Sequence, residues 1–387
     1  MTEEHLAEIW QPLANPMAQW ELLPSFMLGE LLFISLAVLA LVHARHRGRE
    51  HLLIWLGALI AGTANDFIFM ALPLVDNFWH AQATVMVTPR LPLYIPCVYV
   101  SFMYYPTVAV RRLGLGGLPL AGLTGLAACL FYAPFDIVGA KLLWWTWHDT
   151  DQPIAARVLG APVGSSLWVL TFAGAFSWLI DHTLRGATDI SRVVFAKGFA
   201  KVAGLTTLLM MVQMTVLQQL DGGTPRYGAL IGGIVLYALL AARSLASGGT
   251  GGFTDARAPD GLDRVVRAAM VAYLLSLAAI GAAFDPETHV STGLHQTVGE
   301  CYVEAKDITG LTRHVYLCAE DYDEDFTFDC VDGPPEESAG WNTVCGRAHS
   351  DFASWMGGVA GLCLGGSGLF LFLWGAGRRR GEDDAAQ

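Results

Sequence analysis

Two carboxyls stand inside apolar runs of this chain. Asp66 lies in GTANDFIF beside Asn65, and Asp136 lies in FYAPFDIVGAK, with Lys141, Trp144, Trp145 and Trp147 following closely in LLWWTWHDTDQP. Ionisable groups at membrane depth are costly unless paired or hydrated, which makes them functional candidates by default. Together these residue types can deliver a proton to carbon. Hydrating or cyclising an alkene needs a neutral carboxylic acid kept from water, and aromatic faces that steady the carbocation it creates. Asp66 or Asp136 would be the acid and Lys141 would modulate Asp136. Asn65, Tyr99, Trp144, Trp145, Trp147, Arg90 and Glu30 would bind the substrate.

The plainer alternative is an interfacial aromatic belt whose charges already lie in water. It suits His148, Asp149 and Asp151, which follow the tryptophans and read as hydrated, and it suits Glu30 at a span's outer third. Asp66 resists it, because Phe67, Ile68, Phe69 and Met70 follow directly. Asp136 and Lys141 are five apart, poor spacing for one helical face unless Pro134 and Gly139 break the helix. Gln213 and Gln218 suit either a site or ordinary hydrogen bonding between helices.

Metals offer a second chemistry. His80, His148, Asp149, Asp151, Asp66 and Glu30 are zinc-ligand types that would activate water for lipid hydrolysis, though no HxxxH spacing is present. In DYDEDFTFDCVD, Asp321, Asp323, Asp325, Asp329 and Asp332 occupy positions 1, 3, 5, 9 and 12 of a calcium-loop pattern, but Phe326 stands where that loop needs glycine. A solvated acidic turn is the plainer reading. No cofactor is expected, with calcium and zinc as the outside candidates.

The elements positioning these residues are membrane helices. Of 387 residues 53% are hydrophobic and 15% charged, with a mean hydropathy of +0.44; soluble chains carry about 25% charge. Runs near the ~20 residues that span a bilayer fall at 25–44, 52–74, 91–110, 118–138, 164–182, 199–219, 227–245, 264–283 and 353–376. The expected fold is therefore all-α, a polytopic bundle of about nine spans. Its parts are a core over 1–283 with eight spans, an acidic loop over 284–352, a final span over 353–376 and a tail over 377–387.

Sixteen of the 23 Lys and Arg residues lie on or near the face formed by alternate connections, which by the positive-inside rule is cytoplasmic. The N-terminus is then outside and the C-terminus inside. On that topology Glu30, Asp66 and Asp136 share the non-cytoplasmic half. The net charge of −12 arises between Asp285 and Asp351, where 15 acidic and 3 basic residues lie. Such a loop does not suggest nucleic acid. Cys301, Cys318, Cys330 and Cys345 all fall there, and in an oxidising compartment they form two disulfides, with three pairings open.

Two stretches, TANDFIFMALPLVDNFWHAQATVMVTPRLPLYIPCVYVSFMYYP and APFDIVGAKLLWWTWHDTDQPIAARVLGAPVGSSLWVLTF, resemble the carotenoid-biosynthesis membrane family that includes bisanhydrobacterioruberin hydratase. The resemblance implies a related membrane core and singles out Asp66, Asp136, Trp145 and Trp147. Where that family usually has Glu in the second span this chain has Asp66, and its Gly- and Tyr-rich loop is replaced by LVDNFWHAQATVMV. Taken whole, the chain is similar to a family of multi-spanning proteins that share the Cys-rich outer loop.

These features support an enzyme acting on a polyprenoid or other membrane lipid. The alternatives are a receptor or complex subunit that binds a protein partner through the outer loop, and a transporter.

Overall fold

A computed structural model describes residues 11–75, 78–185, 190–247, 259–294, 296–318, 325–331, 337 and 340–375. Among them run ten helices: α1 (Pro16–Leu22), α2 (Pro24–Arg47), α3 (Arg49–Ala71), α4 (Tyr94–Arg111), α5 (Gly117–Lys141), α6 (Val163–Leu184), α7 (Arg192–Gln218), α8 (Tyr227–Ser247), α9 (Gly261–Ala283) and α10 (Phe352–Gly375). A long helix covers each of the nine apolar runs. Seven are long and apolar enough to cross a membrane: α2, α3, α5, α6, α7, α9 and α10. Outward faces are apolar on these helices and on α8, with Val212 and Val216 of α7, Ile231, Val235 and Leu239 of α8, and Leu364 and Phe372 of α10 exposed. This arrangement fits a multi-pass integral membrane protein.

The helices pack up and down. Between α2 and α3 the chain turns on Gly48 alone, whose φ of +109° lies where glycine is favoured. The turn brings the Trp55 indole to the Ala37 carbonyl at 3.0 Å. α5 sits at the centre, touching α4, α6, α8, α9 and α10. Every residue of α4 except Cys97 is buried. A helix encased by others need not be apolar on its surface, so α4 carries four tyrosines, with Pro96 in its first turn and Pro106 inside it. The GxxxG pattern of α10 does not serve packing among the described residues, since Gly357, Gly361 and Gly365 face open space.

One end of the bundle is not helical, which qualifies the all-α expectation. Val290–Leu294, Trp341–Gly346 and Phe326–Thr327 form a three-stranded antiparallel sheet with Trp341–Gly346 in the middle. Glu304–Lys306 and Thr312–His314 form a hairpin. The disulfides Cys301–Cys318 and Cys330–Cys345 brace this region. Beneath it, Trp145–Trp147 pairs antiparallel with Phe78–His80. Leu143, with φ +58°, makes the turn that leads from α5 into the tryptophans.

Candidate functional site

α3, α4, α5, α6 and α7 converge below the sheet-bearing end around a cavity of about 270 Å³. Six expected site residues line it: Asn65, Asp66, Tyr99, Asp136, Trp145 and Trp147. Asp66 accepts a hydrogen bond from the Tyr99 hydroxyl, which itself accepts from Asn65 Nδ2 at 3.3 Å. Tyr99 reaches α3 because Gly62 has no side chain; any Cβ there would enter the Tyr99 ring. Asp136 is 1% exposed and no cation pairs with it among the described residues; the Ser165 hydroxyl of α6 is its polar partner in the cavity wall. The Oδ1 of Asn65 also lacks a partner.

The walls are aromatic. Trp168 meets Tyr99 edge-on at 5.7 Å and stacks on Phe172 at 5.3 Å. Phe135 lies 4.8 Å from Trp145. His80 is a further polar liner, 5% exposed, with Nδ1 at 3.4 Å from the Tyr94 hydroxyl and Nε2 without a partner. Burial, with the Arg90 charge adding to it, pushes the His80 imidazole down to about 3, so it is neutral at physiological pH.

Residues 309–313 close the cavity from above. Thr309, Leu311 and Arg313 contribute to the lining. Arg313 is held by Asp307 at 2.8 Å and faces Asp151 at 3.8 Å. The least buried wall is α7, where Thr215 is exposed and Met211, Met214 and Gln218 are partly so.

Four expected site residues lie elsewhere. Lys141 does not approach Asp136 as its modulator: its ammonium donates to the Ala348 carbonyl at 3.2 Å and pairs with Asp325 at 3.6 Å. α5 continues through Pro134 to Lys141, so the five-residue spacing turns the two side chains apart. Trp144 is wedged between Gly29 and Gly139, and its indole donates to Ser25. Glu30 holds Thr84, accepting from its amide at 3.1 Å and its hydroxyl at 2.9 Å. Arg90 donates to the Met70 carbonyl near the end of α3. Gln213 accepts from Tyr237 between helices, whereas Gln218 is a cavity liner.

His148, Asp149 and Asp151 are buried, not hydrated. The loop covers them: the Asp325 amide donates to Asp149, the His314 amide donates to Asp151 at 2.7 Å, and His148 Nε2 donates to the Tyr316 carbonyl at 3.1 Å. Of the calcium-pattern residues, Asp321, Asp323 and Asp332 lie outside the described residues. Asp325 is engaged with Lys141, and Asp329 sits at a turn where its amide donates to Thr327.

Sequence reading passed over Tyr132, Phe135, Ser165, Trp168 and the methionines of α7. Tyr132 and Asp136 stand at i and i+4, a spacing that puts both on one helical face and would have found the tyrosine. Polar burial is also not confined to one depth. At the opposite end, Asp263 of α9 is bonded by His43 at 3.0 Å and by Arg47, with Arg112 at 3.5 Å. The Tyr104 hydroxyl joins His43 at 2.7 Å to His51 at 3.2 Å.

The family described as Domain of unknown function (DUF7802) matches residues 5–374. No curated protein and no solved structure matches the chain, so the resemblance to carotenoid-biosynthesis membrane proteins draws no support from them.

Proposed function

This chain belongs to the DUF7802 family, and we propose that it is a membrane enzyme that protonates an alkene carbon of a polyprenoid or similar lipid held in the cavity. The observation that carries this reading is Asp136, a buried carboxyl in an aromatic wall with no cation paired to it among the described residues. A structural carboxylate would be paired. One with no cation beside it, facing space for a ligand, is placed to give its proton to that ligand.

The step balances simply. Asp136 transfers its carboxyl proton to one alkene carbon, and the other carbon becomes a cation. Trp145, Trp168 and Tyr99 offer ring faces to that charge. Either water adds and its surplus proton returns to the Asp136 carboxylate, giving an alcohol, or a second alkene of the same chain closes a ring and a neighbouring C–H returns the proton. The Tyr99–Asp66 pair fixes the wall opposite. About 270 Å³ suits the end of an isoprenoid chain rather than its whole length, with the partly exposed α7 wall as the entry from the bilayer.

The reading includes nine spans with α4 and α8 among them, the N-terminus outside and the C-terminus cytoplasmic, following the Lys and Arg bias. It makes the 284–352 segment an outer cover for the site. One observation favours transport instead: the second buried polar cluster around Asp263. Proton flux in liposomes tests that alternative.

Binding is tested by energy transfer from tryptophan to retinol, a C20 isoprenoid probe, with the full chain in nanodiscs. Saturable transfer that geranylgeraniol displaces, and that Thr215→Trp at the exposed α7 wall abolishes, supports the reading. Transfer that never saturates, or that Thr215→Trp leaves unchanged, contradicts it.

A further inference from the structure

We propose that His148, Asp151 and His314 bind a divalent transition metal of the zinc class, and that this metal fastens the outer segment over the cavity. The three side chains come from two segments more than 160 residues apart, with His314 and Asp151 separated by 163. One ligand atom from each lies within 4.8 Å of the others. His148 is 4% and Asp151 2% exposed, so water competes little for either.

The orientation of the rings favours ligation. A carbonyl only accepts, so His148 Nε2 carries its hydrogen towards Tyr316 at 3.1 Å. That leaves Nδ1, the nitrogen that faces Thr150 and the cluster, as the atom to ligate, and a backbone carbonyl behind a ligating histidine is the usual support for a metal site. His314 turns its own Nδ1 to the same place, 3.0 Å from Asp151 Oδ1. Thr150 Oγ1 stands 3.3 Å from the first Nδ1 and 3.4 Å from the second. The imidazoles lie nearly parallel with centroids 4.6 Å apart. Tetrahedral zinc, with bonds of about 2.1 Å, sets its ligand atoms roughly 3.4 Å apart; His314 Nδ1 and Asp151 Oδ1 are at 3.0 Å, and all three ligand atoms lie within 4.8 Å. Two imidazoles and one carboxylate suit zinc rather than calcium or magnesium, which take oxygen ligands. Arg313 is the opposing charge, but its Nε is committed to Asp307 at 2.8 Å while its Nη1 remains 3.8 Å from Asp151.

The position gives the metal a consequence. His314 ends the strand that follows Thr309 and Leu311, and His148 follows Trp147; these neighbours line the cavity. A metal here ties the cover to the tryptophan segment. Binding displaces the hydrogen between His314 and Asp151, so uptake releases a proton and weakens in acid.

The test uses the full chain in detergent, stripped with chelator and titrated with zinc, with cobalt as a spectroscopic reporter. The expected result is one equivalent bound per chain, a cobalt spectrum of tetrahedral type, and loss of both in His314→Ala. Hydrogen exchange over residues 304–314 should slow at least tenfold on zinc addition in the wild type. Magnesium should do nothing. Equal zinc content in wild type and His314→Ala, or no uptake and no change in exchange by the wild type, overturns the proposal. His148→Ala gives the same readout from the other segment if His314→Ala fails to fold.

Discussion

Tyr99 of α4 donates its phenolic hydrogen to Asp66 of α3 at the level where Gly62 leaves room for its ring. The contact joins the two helices by packing and by a charge-type hydrogen bond together, and it settles the position of one cavity wall. Tyr99→Phe removes the hydrogen bond and leaves Asp66 and Asn65 less satisfied, at a cost of about 1–3 kcal/mol. Gly62→Ala forces the ring away and costs about 1–3 kcal/mol by overpacking. Thermal unfolding should rank both below wild type, and the double variant should lose less than the sum of the two.

Asp136→Asn keeps the shape and removes the transferable proton. Conversion of the bound lipid should fall by about 10²-fold or more, while retinol binding stays within about threefold of wild type. Loss of binding in step with conversion would assign Asp136 to packing.

Lys141→Met separates the observed contacts from the sequence expectation. Lys141 pairs with the half-exposed Asp325, so its loss should cost no more than about 1 kcal/mol and leave conversion within about twofold. A large fall in conversion with unchanged stability would return Lys141 to the chemistry.

Acid should loosen the sheet-bearing end. His80 is held down to about 3 by burial and by Arg90. His289 is lowered too, chiefly by burial, and accepts from Ser25 at 2.7 Å in its neutral form. Above about pH 6.5 both folded and unfolded chains hold these rings neutral and the full stability is present. Below that the unfolded chain takes up protons that the fold refuses, so stability falls by up to about 1.4 kcal/mol per pH unit for each ring, and for His80 it does so down to about pH 3. Melting temperature measured from pH 7.5 to 4.5 should drop, and His80→Gln should flatten the slope. A flat wild-type profile would mean that these rings are hydrated.

Cys301→Ser with Cys318→Ser opens a loop of 17 residues. The cross-link stabilises the fold by about 3 kcal/mol through the unfolded chain. Hydrogen exchange should rise over 304–314, next to the cavity roof, and little in α5. Uniform loosening would show that the outer segment and the bundle unfold as one.

Much of this arrangement is legible in the sequence because each part has a local signal. Apolar runs of bilayer length mark the helices, Asp66 and Asp136 stand out against them, and four cysteines in one acidic stretch announce disulfides. What is not legible depends on contacts across long separations. The buried state of His148 and Asp151 comes from His314 and Tyr316, far along the chain. Lys141 has its partner in Asp325, which no helical spacing relates to it. Arg47 and Arg112 look like solvated helix ends, and only the fold brings Asp263 between them.

The most direct measurement follows hydrogen onto carbon. The full chain in nanodiscs is supplied with lycopene and a lipid extract of the host membrane in D2O, and products are weighed by mass spectrometry. Proton transfer from Asp136 predicts a product with one solvent deuterium bonded to carbon, formed by wild type and lost in Asp136→Asn. Equal carbon-bound deuterium in the two proteins, or none in any lipid of the mixture, would contradict it.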